Sequence, residues 1–332
     1  MRVSRFFAAL MVASLFPLLA NAQPADPPAK RYKAVAEWPK PPRGDKGFAA
    51  GPWNYWQVPG VAVARNGNIL VLHRGEYPIL EYRPNGDFVG PWGDVTFDQG
   101  KVMFVPKENR TPAISGYQAV YGPPGCSNCG AHEIRVDRHG NVWVVDAPAH
   151  VIYKMNPQGR TVMTLGTKGK AGNTQNSFYM PTDIAFAPNG ELVVADGYGN
   201  ARIMRFTADG KFLGQFGSRG NGPGQFQLPH NLVIDKNGLI YVSDRENRRV
   251  EIFDAQGKYL REWKNVGSLS SLAMTRDQQI WAGGVLRSLD GKAIESLPGE
   301  GANARAHGAA IAENGDVYLG LLDGTVKKFV RQ

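Results

Sequence analysis

Three of the six histidines stand at one offset: His132, His230 and His307 each lie 8 residues before a turn glycine, at Gly140, Gly238 and Gly315. Beyond comparable turns, Arg74 and Arg245 follow Gly67 and Gly238 by 7 residues, and Tyr198 follows Gly190 by 8. Three neutral imidazoles brought together make a three-nitrogen metal site, and with an open fourth position they describe a catalytic zinc. Ligand type alone leaves iron, copper and nickel open. Arginine pairs both oxygens of a carboxylate through its planar fork, and a tyrosine beside a divalent cation and two arginines suits a general base. The bland reading is that a histidine before an apolar strand is a habit of the repeat. A habit would mark every unit, yet the other three units carry Pro59, Thr182 and Ser270 at this place.

This chemistry requires a fold that turns equal offsets into one location. The unit is an apolar strand, a turn, a β-rich strand and a closing Asp or polar pair, and its turn recurs at Gly67, Gly140, Gly190, Gly238, Gln278 and Gly315. The spacings are 73, 50, 48, 40 and 37 residues. In the fourth unit the runs are His230 to Asp235, Leu239 to Asp244, Arg249 to Asp254 and Lys258 to Trp263, a four-stranded meander with turn residues at Asn237-Gly238 and Gln256-Gly257. Four short strands at a period of about 40 to 50 residues predict an all-β, six-bladed β-propeller with four antiparallel strands per blade. The histidines then occupy alternate blades, about 120° apart around the axis. Because the first two strands of a blade form a hairpin, a residue 8 before the turn and one 7 or 8 after it share a rim.

With 42% hydrophobic and 20% charged residues the chain is not disordered. Residues 1–22, with Arg2, Arg5, an apolar run from Phe6 to Leu19 and Ala20-Asn21-Ala22, read as a secretory signal peptide, so the protein is expected to be exported, periplasmic or secreted. Residues 23–50 read as a linker and 51–332 as one propeller domain, with an insertion at about 76–125 that includes Trp92, Phe97, Phe104 and Tyr121. No membrane span is expected. The net charge of +9 favours an anionic partner, expected to be a small molecule or peptide with a carboxylate and not nucleic acid. Cys126 and Cys129 are too few for a disulfide framework and read first as a local disulfide, then as a redox or metal pair. His139 and His150, on a turn and near a strand end, are expected to be solvated.

At these residues the chain resembles the peptidyl-α-hydroxyglycine α-amidating lyase-like family of NHL-repeat β-propellers. The motifs are QVPGVAVARNGNILVLHRGEY from Gln57, AHEIRVDRHGNVWVVDAPAHVIYKM from Ala131, PTDIAFAPNGELVVADGYGNARIMRF from Pro181 and GPGQFQLPHNLVIDKNGLIYVSDRENRRV from Gly222, with a weaker AHGAAIAENGDVYLG from Ala306. The resemblance implies zinc on His132, His230 and His307, Tyr198 and Arg74 at the reacting centre, and Arg245 in substrate binding. The implied reaction splits a peptidyl-α-hydroxyglycine into a peptide amide and glyoxylate. Two departures stand out. Gly308 follows His307 where the family has an Asp that contributes to a structural calcium, which speaks against calcium here. Gly199 stands where the family has a cysteine, and its usual disulfides are absent.

Two further functions compete. A non-catalytic NHL propeller would bind a peptide, glycan or protein partner at a channel mouth and be indifferent to chelators. A calcium-dependent lactonase would use carboxylate and Asn ligands, which the three-histidine set argues against. Composition says nothing of the oligomeric state or of the natural substrate.

Overall fold

The computed structural model describes residues 26–41, 55, 57–75, 77–95, 97, 130–301 and 304–332. These residues form six four-stranded antiparallel sheets and no helix. The expected signal peptide and Cys126 and Cys129 lie outside the described residues, as do Phe104 and Tyr121. No helix among the described residues is long and apolar enough to cross a membrane.

Each blade is a meander. The first runs through Gly60–Val63, Ile69–Leu72, Ile79–Tyr82 and Phe88–Pro91, and the second through Ala131–Val136, Val142–Asp146, Val151–Met155 and Thr161–Gly166. The third comprises Asp183–Phe186, Leu192–Asp196, Arg202–Phe206 and Phe212–Phe216. The fourth comprises Pro229–Ile234, Ile240–Asp244, Arg249–Phe253 and Tyr259–Trp263. The fifth, Leu272–Met274, Ile280–Ala282, Val285–Arg287 and Ala293–Ser296, is the shortest. The first strand of every blade packs on the first strands of both neighbours, so these six strands line the axis. The six turns used as a ruler all close with the same backbone bond, from the turn residue to the carbonyl three residues earlier. Gln278 adopts the left-handed conformation (φ 57°) that the five glycines adopt elsewhere.

The sixth blade corrects the expected domain boundaries. Its strands Ala306–Ile311, Val317–Leu321 and Val326–Arg331 are completed by Tyr32–Val35, which pairs antiparallel with the last strand from Tyr32 opposite Arg331 to Val35 opposite Lys328. Part of the segment read as a linker, Tyr32–Val35, is therefore the outer strand of the last blade. Two strands of this blade follow Gly315, and the edge of the second is covered by the N-terminal segment. Arg31 anchors this strap to Glu295 at 2.7 Å, and Trp38 packs on Tyr82 and Tyr318 across the first and sixth blades. The start of the expected insertion is likewise the outer half of the first blade, Ile79–Tyr82 and Phe88–Pro91. Phe97 is buried beside Val95 in the core shared by the first two blades.

The hydrophobic core is split into interfaces between successive blades. Trp143, Val145 and Ile152 of the second blade meet Ile184, Val194 and Met204 of the third, and the other five interfaces repeat the pattern. Polar latches fasten the connections. Arg249 reaches Asp244 (3.2 Å) and Glu262 (3.0 Å), and donates to the carbonyls of Asn221, Gly222 and Gln225. Asp244 in turn accepts from the backbone of Gln227 and Leu228. Arg202 and Asp196 repeat this arrangement one blade earlier.

Removing Arg249 leaves buried carboxylates without their cation, a loss of about 3–5 kcal/mol. Arg249→Ala is therefore expected to lower the urea midpoint strongly. Arg276→Ala, which removes an exposed partner of Glu313, should leave the midpoint unchanged. Equal midpoints for the two variants would refute the latch.

Candidate metal centre

His132, His230 and His307 converge on the axis. Their ring centroids are 5.0, 4.8 and 4.8 Å apart, and one nitrogen of each lies within 4.8 Å of the others. All three are buried, at 1%, 1% and 3% exposure. The backbone explains how they point inward. Pairing of the first two strands slips between Ala131 and Glu133, between Pro229 and Asn231, and between Ala306 and Gly308, so each histidine is the extra residue of a β-bulge. The first hairpins of the other three blades pair without a slip. A bulge re-aims the side chain it carries.

The alternate blades supply the other half of the arrangement. His132 Nδ1 donates to the Thr182 carbonyl at 2.7 Å, and His307 Nδ1 donates to the Pro59 carbonyl at 2.8 Å. The backbone of Ser270 lies beside His230, although His230 Nδ1 itself has no hydrogen-bond partner. Thr182, Pro59 and Ser270 are the residues that occupy the histidine position in the intervening blades. A proton held on Nδ1 leaves the Nε2 lone pair free to face the axis. Burial, followed by neighbouring charges that include Arg74 and Arg245, holds the pKa of His132 and His230 well below the ordinary value and that of His307 at about 3. All three are neutral near pH 7, the form that binds a metal. Among the described residues this is the one group of three or more His, Cys, Asp or Glu side chains close enough to share an ion.

The structure brings the other expected residues to the same rim. The Tyr198 hydroxyl lies 3.0 Å from His132 Nε2 and 3.4 Å from His230 Nε2. The backbone N–H groups of Arg74, Tyr198 and Arg245 donate to Gln57, Met180 and Leu228, each ten residues before its turn, so one repeated bond holds all three. The Arg74 guanidinium bonds the Ala131 carbonyl at 3.1 Å and Gln57 Oε1, and Arg245 pairs with Glu246 at 2.9 Å. Both guanidiniums depress the pKa of His307, so both charges are felt at the cluster.

Sequence reasoning missed Arg219. It donates to the Gly199 carbonyl (3.0 Å) and the Gln227 carbonyl (3.0 Å), tying the loop that carries Tyr198 to the chain entering the fourth blade. Arg219 lies in a connection, where a turn-based ruler has no mark. Gly199 cannot take a side chain without displacing the Tyr179 ring.

Calcium fits less well than a transition metal. One residue on from His132, Thr182 and His230, the side chains of Glu133, Asp183 and Asn231 supply oxygens, but the Arg135 guanidinium already sits among them, 2.8 Å from Asp183 and 3.0 Å from Asn231. At the same level Gly308 offers no side chain.

His139 is exposed as expected, whereas His150 is buried because the blade turns it inward, where Nδ1 accepts from the Met180 N–H at 3.0 Å. His73 Nδ1 accepts from the Gly75 N–H in the same way.

A family model described as a 6-bladed beta-propeller matches residues 171–287. The chain is 30% identical over 298 residues to the peptidyl-glycine alpha-amidating monooxygenase of Mus musculus, a match covering 80% of this chain and 29% of that protein. It is 33% identical to the probable peptidyl-alpha-hydroxyglycine alpha-amidating lyase pgal-1 of Caenorhabditis elegans, over 60% of this chain and 56% of that protein. To NHL repeat-containing protein 3 of Mus musculus it is 34% identical, over 60% of this chain and 52% of that protein. The chain thus spans under a third of the monooxygenase and about half of the other two.

Burial lowers the pKa of His73 and His150 to about 4, from about 6.5 when unfolded. The resulting stability is present above pH 6.5 and is lost as pH falls through 4. The unfolding midpoint should drop on acidification across this window. His150→Gln, which keeps an acceptor for Met180, should flatten the slope by about one proton; an unchanged slope would remove His150 from the account.

Proposed function

As this chain is one of the amidating-lyase-like NHL-repeat propellers, we propose that it is a metal-dependent lyase cleaving the C–N bond of a carbinolamide to give an amide and glyoxylate. The observation that carries this reading is the meeting of three Nε2 atoms from alternate blades with the Tyr198 hydroxyl in contact with two of them.

His132, His230 and His307 would hold the ion, for which zinc is the first expectation from three neutral imidazoles. When bound, zinc supplies Lewis acidity that makes an α-hydroxyl easier to deprotonate. The remaining steps belong to the chain's own side chains. Arg74 and Arg245 receive the substrate carboxylate, each held by its own backbone bond and side-chain partner before substrate arrives. The Tyr198 oxygen takes the hydroxyl proton as the carbonyl of glyoxylate forms. The C–N bond breaks, its electron pair stays on the amide nitrogen, and the same oxygen returns the proton there. No electrons enter or leave, so no redox partner is needed. Burial of the ring keeps bulk water from competing for the proton.

The favoured substrate is a small molecule or peptide ending in an α-hydroxyglycine-type carboxylate. The leader-like pattern of residues 1–22 supports action outside the cytoplasm, in the periplasm or beyond the cell.

Metal analysis of the purified protein, alongside glyoxylate release from an N-acyl α-hydroxyglycine, tests the reading. Bound zinc near one equivalent and chelator-sensitive glyoxylate release are expected. His230→Ala should lose both, and Tyr198→Phe should keep the metal while slowing release about 100-fold or more. Metal that persists in His230→Ala would disprove the ligand set. Zinc without glyoxylate would leave the site standing but exclude this reaction, and a metal-free, chelator-indifferent protein would favour the binding propeller.

A further inference from the structure

Directly beneath the histidine ring, one nitrogen is surrounded by oxygens from three blades. Arg135 Nη2 lies 2.8 Å from Asp183 Oδ2, 3.0 Å from Asn231 Oδ1 and 3.7 Å from Glu133 Oε2, while Nε completes a fork onto Asp183 Oδ1 at 2.9 Å. Glu133, Asp183 and Asn231 are all buried, and they directly follow His132, Thr182 and His230 in the chain. The oxygens are further fixed. Asn231 Nδ2 donates to Glu133 Oε2 at 3.1 Å, Leu232 N donates to Asp183 at 2.9 Å, and Leu272 N of the fifth blade donates to Asn231 Oδ1 at 2.7 Å. This network laces the second to the fifth blades together. On the opposite side the ring closes backbone to backbone, since a Cβ on Gly308 would come within 2.6 Å of the Gly60 Cα.

We propose that Arg135 is a cation built into the chain, occupying an oxygen cage that would otherwise hold a hard divalent ion, and that by drawing Glu133, Asp183 and Asn231 together it positions His132 and His230. Two carboxylates and an amide oxygen from separate segments are the donor chemistry of calcium. Here the guanidinium supplies the charge and, through its planar fork, a directionality that a free ion lacks. Arg135 is thus a positioning residue acting through the backbone of its neighbours. The proposal is independent of the reaction assigned above. It takes the three-histidine ligand set as given for its zinc readout alone, and its calcium readout stands without it.

The test uses the full-length protein, with thermal melting in millimolar calcium or in a calcium-selective chelator, and zinc affinity measured by competition. Wild type should melt identically in both media. Arg135→Ala should melt lower, regain much of the loss in calcium but less in magnesium, and bind zinc about tenfold or more weakly. Should Arg135→Ala fail to fold, Arg135→Lys keeps the charge but not the fork, and should fold with weakened zinc binding. Calcium that stabilises wild type, an Arg135→Ala protein indifferent to calcium, or an Arg135→Lys protein with wild-type zinc affinity would each overturn the proposal. A wild type that binds no zinc would sink the ligand set instead, leaving the calcium comparison to judge Arg135.

Discussion

The alternation of two kinds of blade around the axis governs the centre. A histidine-bearing blade bulges and swings its imidazole inward, while the next blade runs straight and presents a backbone carbonyl to the ring. Neither kind suffices alone. Without the bulge the imidazole would follow the strand pleat, and without the carbonyl the tautomer would be unset. Two of the three imidazoles show this hydrogen bond, and His230 Nδ1, beside the short fifth blade, lacks it. The carbonyls are backbone atoms, so substitution of Thr182, Pro59 or Ser270 acts on them through conformation alone.

Much of this was legible in the sequence because a repeat makes position periodic. The turn residues marked the hairpins, and even Gln278, which is not a glycine, adopts the same turn. Offsets of 8 before and 7 or 8 after those turns selected His132, His230, His307, Arg74, Tyr198 and Arg245, and the fold gathers all six at one rim. Features that break the repeat were illegible. The bulges insert a residue without changing the count between histidine and turn. Arg219 lies in a connection, and Tyr32–Val35 is remote in sequence from the strand it joins. Burial of His150 depends on Met180 from the following blade, a contact that no local pattern encodes.

Polar groups here are arranged in tiers down the axis. The rim carries guanidiniums, a phenol and the neutral imidazoles, and the level below it a guanidinium enclosed by oxygens. Burial pushes the pKa of Glu133 up, an effect offset in part by the Arg135 guanidinium. Low dielectric strengthens each contact and makes an unmatched charge expensive, so a change at one tier is felt at the next. The latches at Asp196 and Asp244 apply the same physics at the blade ends, where they fix the connections that enter the rim.

The strap at Tyr32–Val35 couples this arrangement to synthesis. Tyr32–Val35 can find its partner, Val326–Arg331, only after every residue between them has been synthesised. The last imidazole, at position 307, also arrives late. A chain that stops before these segments holds neither the strap's partner nor the third imidazole. Such long-range pairing slows folding, and it ties the blade that carries His307 to both ends of the described chain.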